Sequence, residues 1–177
     1  MIEISGFATD EALSETLGRI RALLEDAFDD GFSADDWAHT LAGHHVTVSE
    51  AGTLIAHAAV VPRTIYIGDE ALRAGYVEGV ATKPDRRGRG LGGRVMSELS
   101  TRIRSLYEVG VLSTDRPSFY ERLGWEPWRG PSYVRAEGIL LRTADEDGGL
   151  MVFRFGAKAG IPLDQTIACD RRTGDDW

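Results

Sequence analysis

The chain has 177 residues, of which 42% are hydrophobic and 27% are charged, proportions typical of a folded globular protein. No run of about 18 apolar residues is present to span a membrane, and the first residues lack the basic and apolar regions of a signal peptide. The single cysteine cannot form an internal disulfide, and the net charge of −8 argues against a nucleic-acid partner. We therefore expect one domain over residues 1–177, located in the cytoplasm, without a nucleic-acid or membrane partner.

Hydrophobic periodicity and turn residues predict the elements of the first half of the chain. Apolar residues at helical spacing from Leu13 to Ala27 predict a helix. Ser33 followed by Asp36 predicts a capping box at the start of a second, shorter helix. The predicted elements are a strand at 2–7, helices at 10–28 and from 33 to 41, and strands at 46–49, 54–61, 64–67 and 72–82.

The second half of the chain starts with a glycine-rich loop and an amphipathic helix, and short apolar strands follow. The predicted elements are a helix at 91–107, a strand at 111–113, a short helix at 117–123 and strands near 134–141 and 150–155, with an acidic turn at 145–149. No element is assigned to the tail, residues 164–177. This order predicts an α/β (α+β) protein in which a mixed central β-sheet has helices on both faces.

Residues 77–93, VEGVATKPDRRGRGLGG, carry the strongest functional signal in the sequence. An apolar strand with one carboxylate, Glu78, leads into a loop rich in glycine and arginine, where a helix begins. Backbone N–H groups and the positive end of the helix dipole bind anions at such a helix start, so the loop is predicted to hold a pyrophosphate. Residues 83–94 carry a net charge of +4 within a chain of −8, which supports this interpretation. The alternative is a solvated basic turn that caps the helix.

Two motifs of the chain resemble those of a known family. Arg87, Gly90 and Gly92 fit the pattern [QR]-x-x-G-x-[GA], which resembles the acetyl-coenzyme A loop of the GCN5-related N-acetyltransferases (GNAT). The later segment FYERLGW, residues 119–125, resembles the closing motif of that family, Y-x-x-x-G-[FW]. The stretches DDWAHTLAGHH, IAHAAVV, LRAGYVEGVA, YERLGWEPWRGP and GDDW are similar to aminoglycoside 2′-N-acetyltransferases.

The resemblance implies direct transfer of an acetyl group from acetyl-CoA to the 2′-amino group of an aminoglycoside in a ternary complex. Glu78 would take a proton from the substrate ammonium through water, and a backbone N–H near Val80 would stabilise the carbonyl oxygen. Tyr120 would give the departing thiolate a proton or a hydrogen bond, and Ser113 lies where the family has a serine after the fifth strand. The structural alternatives are a Glu78 carboxylate paired with an arginine and a Tyr120 ring packed in the core.

The same resemblance implies the residues that bind the two substrates. The expected coenzyme A-binding residues are Val80, Ala81, Thr82, Arg87, Gly88, Arg89, Gly90, Leu91, Gly92 and Gly93. The expected aminoglycoside-binding residues are Asp36, Gly79, Glu146, Asp147, Asp175 and Trp177. One acidic position of the family's substrate site is Gly31 here, and the acidic turn reads Asp-Glu-Asp, so individual sugar contacts are expected to differ.

The histidines and the fold indicate what other ligands and partners to expect. Adjacent His44 and His45 would point to opposite faces of a strand, and the histidines have no ligand spacing, so we expect no metal. Dimers are frequent in this fold, so a homodimer is expected. Two alternatives stay open: an acetyltransferase of the same fold that acts on another cationic amine (a polyamine, an amino sugar or a peptide N-terminus), and a non-catalytic acyl-CoA-binding sensor.

Overall fold

The computed structural model describes the chain from residue 1 to residue 177, except for the side chain of Asp30. The helices are α1 (Ser14–Phe28), α2 (Ala34–His39), α3 (Leu91–Leu106) and α4 (Pro117–Glu121). The strands are β1 (Ile2–Ala8), β2 (His44–Glu50), β3 (Thr53–Ile67), β4 (Glu70–Thr82), β5 (Val109–Ser113), β6 (Glu126–Pro127), β7 (Ser132–Ala136), β8 (Ile139–Arg142), β9 (Leu150–Arg154) and β10 (Ile167–Asp170). None of the described helices is both long and apolar enough to cross a membrane.

The chain forms two compact units. The first unit consists of Met1–Val61 and Val77–Arg102, and the second consists of Pro62–Tyr76 and Ile103–Trp177. Strands β3 and β4 and helix α3 each contribute residues to both units. The expectation of one domain over residues 1–177 stays a prediction.

In the first unit, β2 pairs antiparallel with β1 on one side and with β3 on the other. Helix α1 presents an apolar stripe, because Ile20 and Leu24 recur at helical spacing and both are fully buried. These two side chains cluster with Ala81 near the end of β4, and the rings of Phe7 and Trp37 pack against them. This packing anchors the part of β4 that carries the predicted base.

In the second unit, the strand order is β6-β9-β5-β4-β3-β10-β7-β8. Strands β4 and β5 are parallel and are joined by a crossover that contains α3, as parallel neighbours require. Residues Val109–Leu112 of β5 are all buried, and such an unbroken apolar run is typical of a strand that is covered on both faces. The mixed sheet with helices that the sequence predicts is therefore confirmed.

The structure corrects two boundaries in the first half of the chain. Helix α1 begins at Ser14 and not at residue 10, since Thr9–Glu11 form a 3₁₀ turn and Leu13 is 73% exposed. Strand β3 runs without interruption from Thr53 to Ile67, although the sequence predicts a break at 62–63. Pro62 is exposed, and a proline is tolerated in a strand where its missing N–H leaves no ladder bond unmade.

The segment 134–141, predicted as one strand, is a hairpin of β7 and β8. Glu137 and Gly138 have φ of 51° and 82°, and positive φ at both central residues is what a tight two-residue hairpin turn needs. The tail, to which the sequence assigns no element, contributes β10 between β3 and β7.

Candidate active site

The glycine-rich loop of the first unit connects β4 with α3. Its start is fixed by a 2.9 Å hydrogen bond from the Lys83 N–H to the Ile55 carbonyl. Gly88 and Gly90 have φ of 78° and 73°, and apart from the adjacent residues no heavy atom of the described part of the chain lies within 4 Å of the position that a Cβ would take at either glycine. Because α3 begins at Leu91, the N–H groups of its first turn have no partner within the helix. The loop therefore offers backbone donors beside open space, a geometry that suits a phosphate group.

Two arginines of the loop have other partners within the first unit. Arg87 donates from Nη2 to the Ala27 carbonyl in the last turn of α1, at 2.9 Å. Arg86 lies 3.5 Å from Glu50 and 3.7 Å from Asp85. The Arg87 side chain thus contacts the end of α1, and its predicted contact with coenzyme A stays a prediction.

Residues Glu78, Gly79 and Val80 are consecutive on β4, and each is half-buried. Gly79 has a φ of 57°, so the strand leaves the extended conformation between the predicted base and the predicted oxyanion-binding N–H. A Cβ at Gly79 would stand 3.0 Å from Thr40 Cγ2 and 3.3 Å from Leu24 Cδ1. The positive φ favours glycine here, and a Cβ would be tightly packed. The predicted contact of Gly79 with the substrate stays a prediction.

Two histidines that were not predicted as site residues lie directly behind this position. His57 Nδ1 is 2.7 Å from the Gly79 carbonyl oxygen, and His57 Nε2 is 3.0 Å from His45 Nδ1. Both imidazoles are fully buried, and burial lowers the pKa of His45 to about 4 and that of His57 to about 3. Spacing along the chain does not reveal this pair. The hairpin closes with Glu50 opposite Thr53, and the register shift between Val48 and Ser49 then puts Thr47 opposite His57, so that His45 and His57 lie on one face.

Tyr120 lies on α4 in the second unit. Its buried ring meets the ring of Phe119 edge-on, with centroids 4.8 Å apart, and the ring of Trp125 at 6.2 Å. Burial, reinforced by the charge of Asp115, raises the pKa of the Tyr120 hydroxyl to about 12. A free thiol has a pKa of about 8.5. The hydroxyl is therefore neutral at physiological pH and suits donation of a hydrogen bond to a thiolate better than full loss of its proton.

Ser113 and Glu146, both predicted site residues, are in contact in the second unit. Ser113 Oγ donates to Glu146 Oε2 at 2.9 Å. Burial raises the pKa of Glu146, and the charges of Asp175 and Asp145 act in the same direction against the Ser113 hydrogen bond. The three carboxylates form an acid cluster whose mutual repulsion a bound cation would relieve.

Asp147, next to Glu146, has a structural environment. Its carboxylate forms a salt bridge with Arg142 and accepts a 3.3 Å hydrogen bond from Ser132 Oγ. The hydrogen bond from Arg142 lowers the pKa of Asp147. Asp147 is thus tied into the acidic turn, whereas the sequence predicts a contact with substrate, which stays untested.

Two further predicted substrate residues also have structural partners. The side chain of Trp177 is 5% exposed and donates from Nε1 to Thr143 Oγ1 at 3.2 Å. Asp36 Oδ2 accepts from the Ser33 N–H at 2.7 Å, and Ser33 Oγ accepts from the Asp36 N–H at 3.1 Å. The predicted capping box at the start of α2 is therefore confirmed, and the substrate contacts of these residues remain predictions.

The predicted site residues are distributed over both units. Those of the first unit are Asp36, Glu78 and Gly79, together with residues 80–82 and 87–93. Those of the second unit are Ser113, Tyr120, Glu146, Asp147, Asp175 and Trp177, among which Ser113, Glu146 and Asp175 form one electrostatic group.

Comparison with known proteins identifies the class to which this fold and these motifs belong. Residues 10–128 match the Acetyltransferase (GNAT) domain family, so the chain belongs to the GNAT family of N-acetyltransferases. A GNAT family acetyltransferase from Brucella melitensis in complex with acetyl-CoA has a TM-score of 0.65 and 19% identity, over 95% of this chain and 95% of that one. A GNAT family N-acetyltransferase from Escherichia coli in complex with CoA has a TM-score of 0.68 and 18% identity, over 96% of this chain and 88% of that one.

A protein relative lies much nearer in sequence. The chain is 43% identical over 174 residues to an aminoglycoside 2′-N-acetyltransferase from Mycolicibacterium fortuitum. The match covers 96% of this chain and 89% of the relative. The resemblance found in the sequence is therefore confirmed, and the chain is an N-acetyltransferase.

Proposed function

We propose that this N-acetyltransferase transfers the acetyl group of acetyl-CoA to the 2′-amino group of aminoglycosides. The observation that carries the proposal is the 43% identity, across 96% of the chain, to the aminoglycoside 2′-N-acetyltransferase. The acid cluster of Asp145, Glu146 and Asp175 supports it, because aminoglycosides are polycations and a cluster with a raised carboxyl pKa gains from a cation.

Each step of the transfer has a candidate group. The amine nitrogen attacks the thioester carbonyl carbon, so a C–N bond forms and the C–S bond breaks. Glu78 takes the proton that the substrate ammonium must lose before it attacks, through water, and releases it to solvent. The Val80 N–H stabilises the carbonyl oxygen as it gains charge. The second proton of the nitrogen ends on the departing thiolate, which Tyr120 stabilises by a hydrogen bond.

The loop geometry suits the acetyl donor. The backbone N–H groups of residues 89–93 would hold the pyrophosphate of coenzyme A at the start of α3. The open space beside Gly88 and Gly90 leaves room for that group. The main chain of Val80 and Thr82 would pair with the pantetheine arm. The acetyl donor supplies the activated thioester, and these residues bind and orient it.

A second candidate is an acetyltransferase of the same fold whose substrate is a smaller amine. Three observations favour it: Asp147 is paired with Arg142, Asp36 caps α2, and Gly31 supplies no carboxylate. Fewer carboxylates would then meet the substrate than a large polycation demands. The acid cluster would still attract a polyamine or an amino sugar.

The deciding experiment is acetyl-CoA-dependent thiol release with two matched aminoglycosides. Tobramycin carries an amine at the 2′ position, and kanamycin A carries a hydroxyl there. We expect turnover with tobramycin alone. Turnover with neither, in a protein that still binds acetyl-CoA, would refute the aminoglycoside proposal and favour the second candidate, which a panel of polyamines and amino sugars would then test. We further propose that the protein is a homodimer, which light scattering of the purified protein would test, and that it is cytoplasmic, which fractionation of the cells would test.

A further inference from the structure

A line of hydrogen-bonded polar groups, with two buried histidines at its centre and half-buried groups at its ends, lies in the first unit and ends at the strand that carries Glu78. Thr9 Oγ1 is 3.2 Å from the Gly43 N–H and 2.9 Å from His45 Nε2. His45 Nδ1 is 3.0 Å from His57 Nε2, and His57 Nδ1 is 2.7 Å from the Gly79 carbonyl oxygen. Every ring nitrogen of the two histidines therefore has a partner within this line.

The last acceptor fixes the direction of every hydrogen bond in the line. A carbonyl oxygen only accepts, so His57 carries its hydrogen on Nδ1 and accepts at Nε2 when neutral. His45 must then carry its hydrogen on Nδ1 as well, and its Nε2 accepts from the Thr9 hydroxyl. The Thr9 oxygen in turn accepts from the Gly43 N–H. This assignment satisfies each group once, and it requires both imidazoles to be neutral, in agreement with the lowered pKa of each.

The carbonyl of Gly79 and the N–H of Val80 belong to the same peptide plane. No described peptide bond is cis, and in a planar trans peptide the C=O and the following N–H point in opposite directions. The hydrogen bond from His57 therefore aims the Val80 N–H away from the imidazole. Gly79 has a φ of 57°, so the chain departs from extended geometry next to this peptide within β4, and the hydrogen bond from His57 restrains its orientation.

We infer that His57, supported by His45 and Thr9, is a positioning residue for acetyl transfer that fixes the Gly79–Val80 peptide so that the Val80 N–H meets the acetyl carbonyl oxygen. The inference rests on the proposed function only for the acetyl donor, and it does not depend on which amine is the acceptor. The line of hydrogen bonds cannot act as a proton relay, because it ends at the Gly79 carbonyl and a peptide carbonyl does not pass a proton on. The structure thus assigns to the pair a geometric task, with Glu78 left as the base.

The first test compares three variants. His57→Phe removes the donor, His57→Asn retains an N–H at the place of Nδ1, and His44→Asn is a control on the same strand as His45. Loss of one oxyanion-hole donor lowers kcat by about 10²–10³-fold. We expect His57→Phe to lower kcat by about 10- to 100-fold with little change in the KM for the amine, His57→Asn to recover most of it, and the control to match the wild type. The pH at which the rate is half-maximal should stay that of the wild type, since the base is unchanged.

The second test needs no amine, which separates this inference from the aminoglycoside proposal. Calorimetry measures the Kd of acetyl-CoA and of CoA for each variant, and only acetyl-CoA has the carbonyl oxygen that the Val80 N–H would meet. We expect His57→Phe to weaken acetyl-CoA binding relative to CoA binding, even if no aminoglycoside is acetylated. Equal ratios in the wild type and in a folded His57→Phe variant would overturn the inference.

The third test uses the wild-type protein, so it holds even if a variant does not fold. Imidazole ¹⁵N chemical shifts show which ring nitrogen carries the hydrogen. We expect His45 and His57 to be neutral at about pH 6, each with its hydrogen on Nδ1. A hydrogen on Nε2 of His57 would remove the bond to Gly79 and refute the assignment.

Discussion

Mild acid is expected to destabilise the folded protein through two buried histidines. His45 and His57 are both 0% exposed, and burial lowers their pKa values to about 4 and about 3. In the unfolded chain both return to an ordinary pKa of about 6.5. Below that pH the unfolded state binds protons that the folded state does not, so folding stability falls as the pH falls. The stabilisation is complete above about pH 6.5 and is lost between that pH and the folded pKa values.

The size of the effect follows from the two shifts. Each pH unit below about 6.5 costs about 1.4 kcal/mol per histidine, until the folded pKa is approached. At about pH 5.5 the pair should therefore remove about 3 kcal/mol of unfolding free energy relative to about pH 8. Small domains have about 5–15 kcal/mol in total, so the loss is a large fraction of the whole.

The assay is urea unfolding, followed by tryptophan fluorescence, at several pH values between about 5.5 and about 8, a window in which most carboxylates stay ionised. We expect the free energy of unfolding to fall across this window in the wild type and in His44→Asn. The double variant His45→Leu/His57→Leu should lose most of this pH dependence, because neither position can then bind a proton. Equal wild-type stability at both ends of the window would refute the reasoning, as would an unchanged slope in the double variant.

Three further predictions concern the transfer itself. Glu78→Gln should lower kcat by about 10²–10⁴-fold, the usual contribution of a general base. Steady-state rates measured against pH test this, and turnover at the wild-type level would contradict the assignment of Glu78 as the base. Tyr120→Phe should lower kcat by about 10-fold, because it removes one hydrogen bond of about 1.4 kcal/mol. Calorimetry should show an unchanged Kd for acetyl-CoA. An unaltered kcat would contradict a role of Tyr120 at the thiolate. Glu146→Gln should raise the KM for tobramycin by about 2- to 5-fold, the effect of one lost ion pair near the surface, and leave the KM for acetyl-CoA unchanged. Exposed Glu121→Gln is the control, and equal KM values in both variants would exclude Glu146 from the substrate site.

Features that local pattern encodes were predictable from the sequence. The capping box of Ser33 and Asp36, the helix that starts at Leu91 and the glycines of the loop all depend on residues close together in the chain. The turn at Glu137 and Gly138 is also local, and its glycine is a turn residue. A glutamate with positive φ is rare, however, so the sequence predicts one strand where the structure has a hairpin.

Features that depend on tertiary contacts were not predictable in the same way. Leu13 continues the apolar periodicity of α1, yet it lies before the helix and is exposed, because the chain enters through a 3₁₀ turn. The partners of Asp147 and Arg87 could not be read from spacing, since each contact joins groups whose geometry the fold sets. His45 and His57 required both the register of β2 on β3 and the position of Gly79.

Glu146 and Asp147 are adjacent but differ in how much the fold depends on their side chains. The turn keeps its shape through the salt bridge of Asp147 with Arg142 and through backbone hydrogen bonds from the Glu146 N–H to Thr143 and from the Gly149 N–H to Glu146. Among the described residues, the Glu146 side chain forms a hydrogen bond with the exposed Ser113. Substitutions at residue 146 can therefore accumulate at small cost to folding, and under the proposed function they would alter the charge that meets the substrate. Substrate range could then change through substitutions at residue 146, while Asp147 is retained because its salt bridge holds the turn.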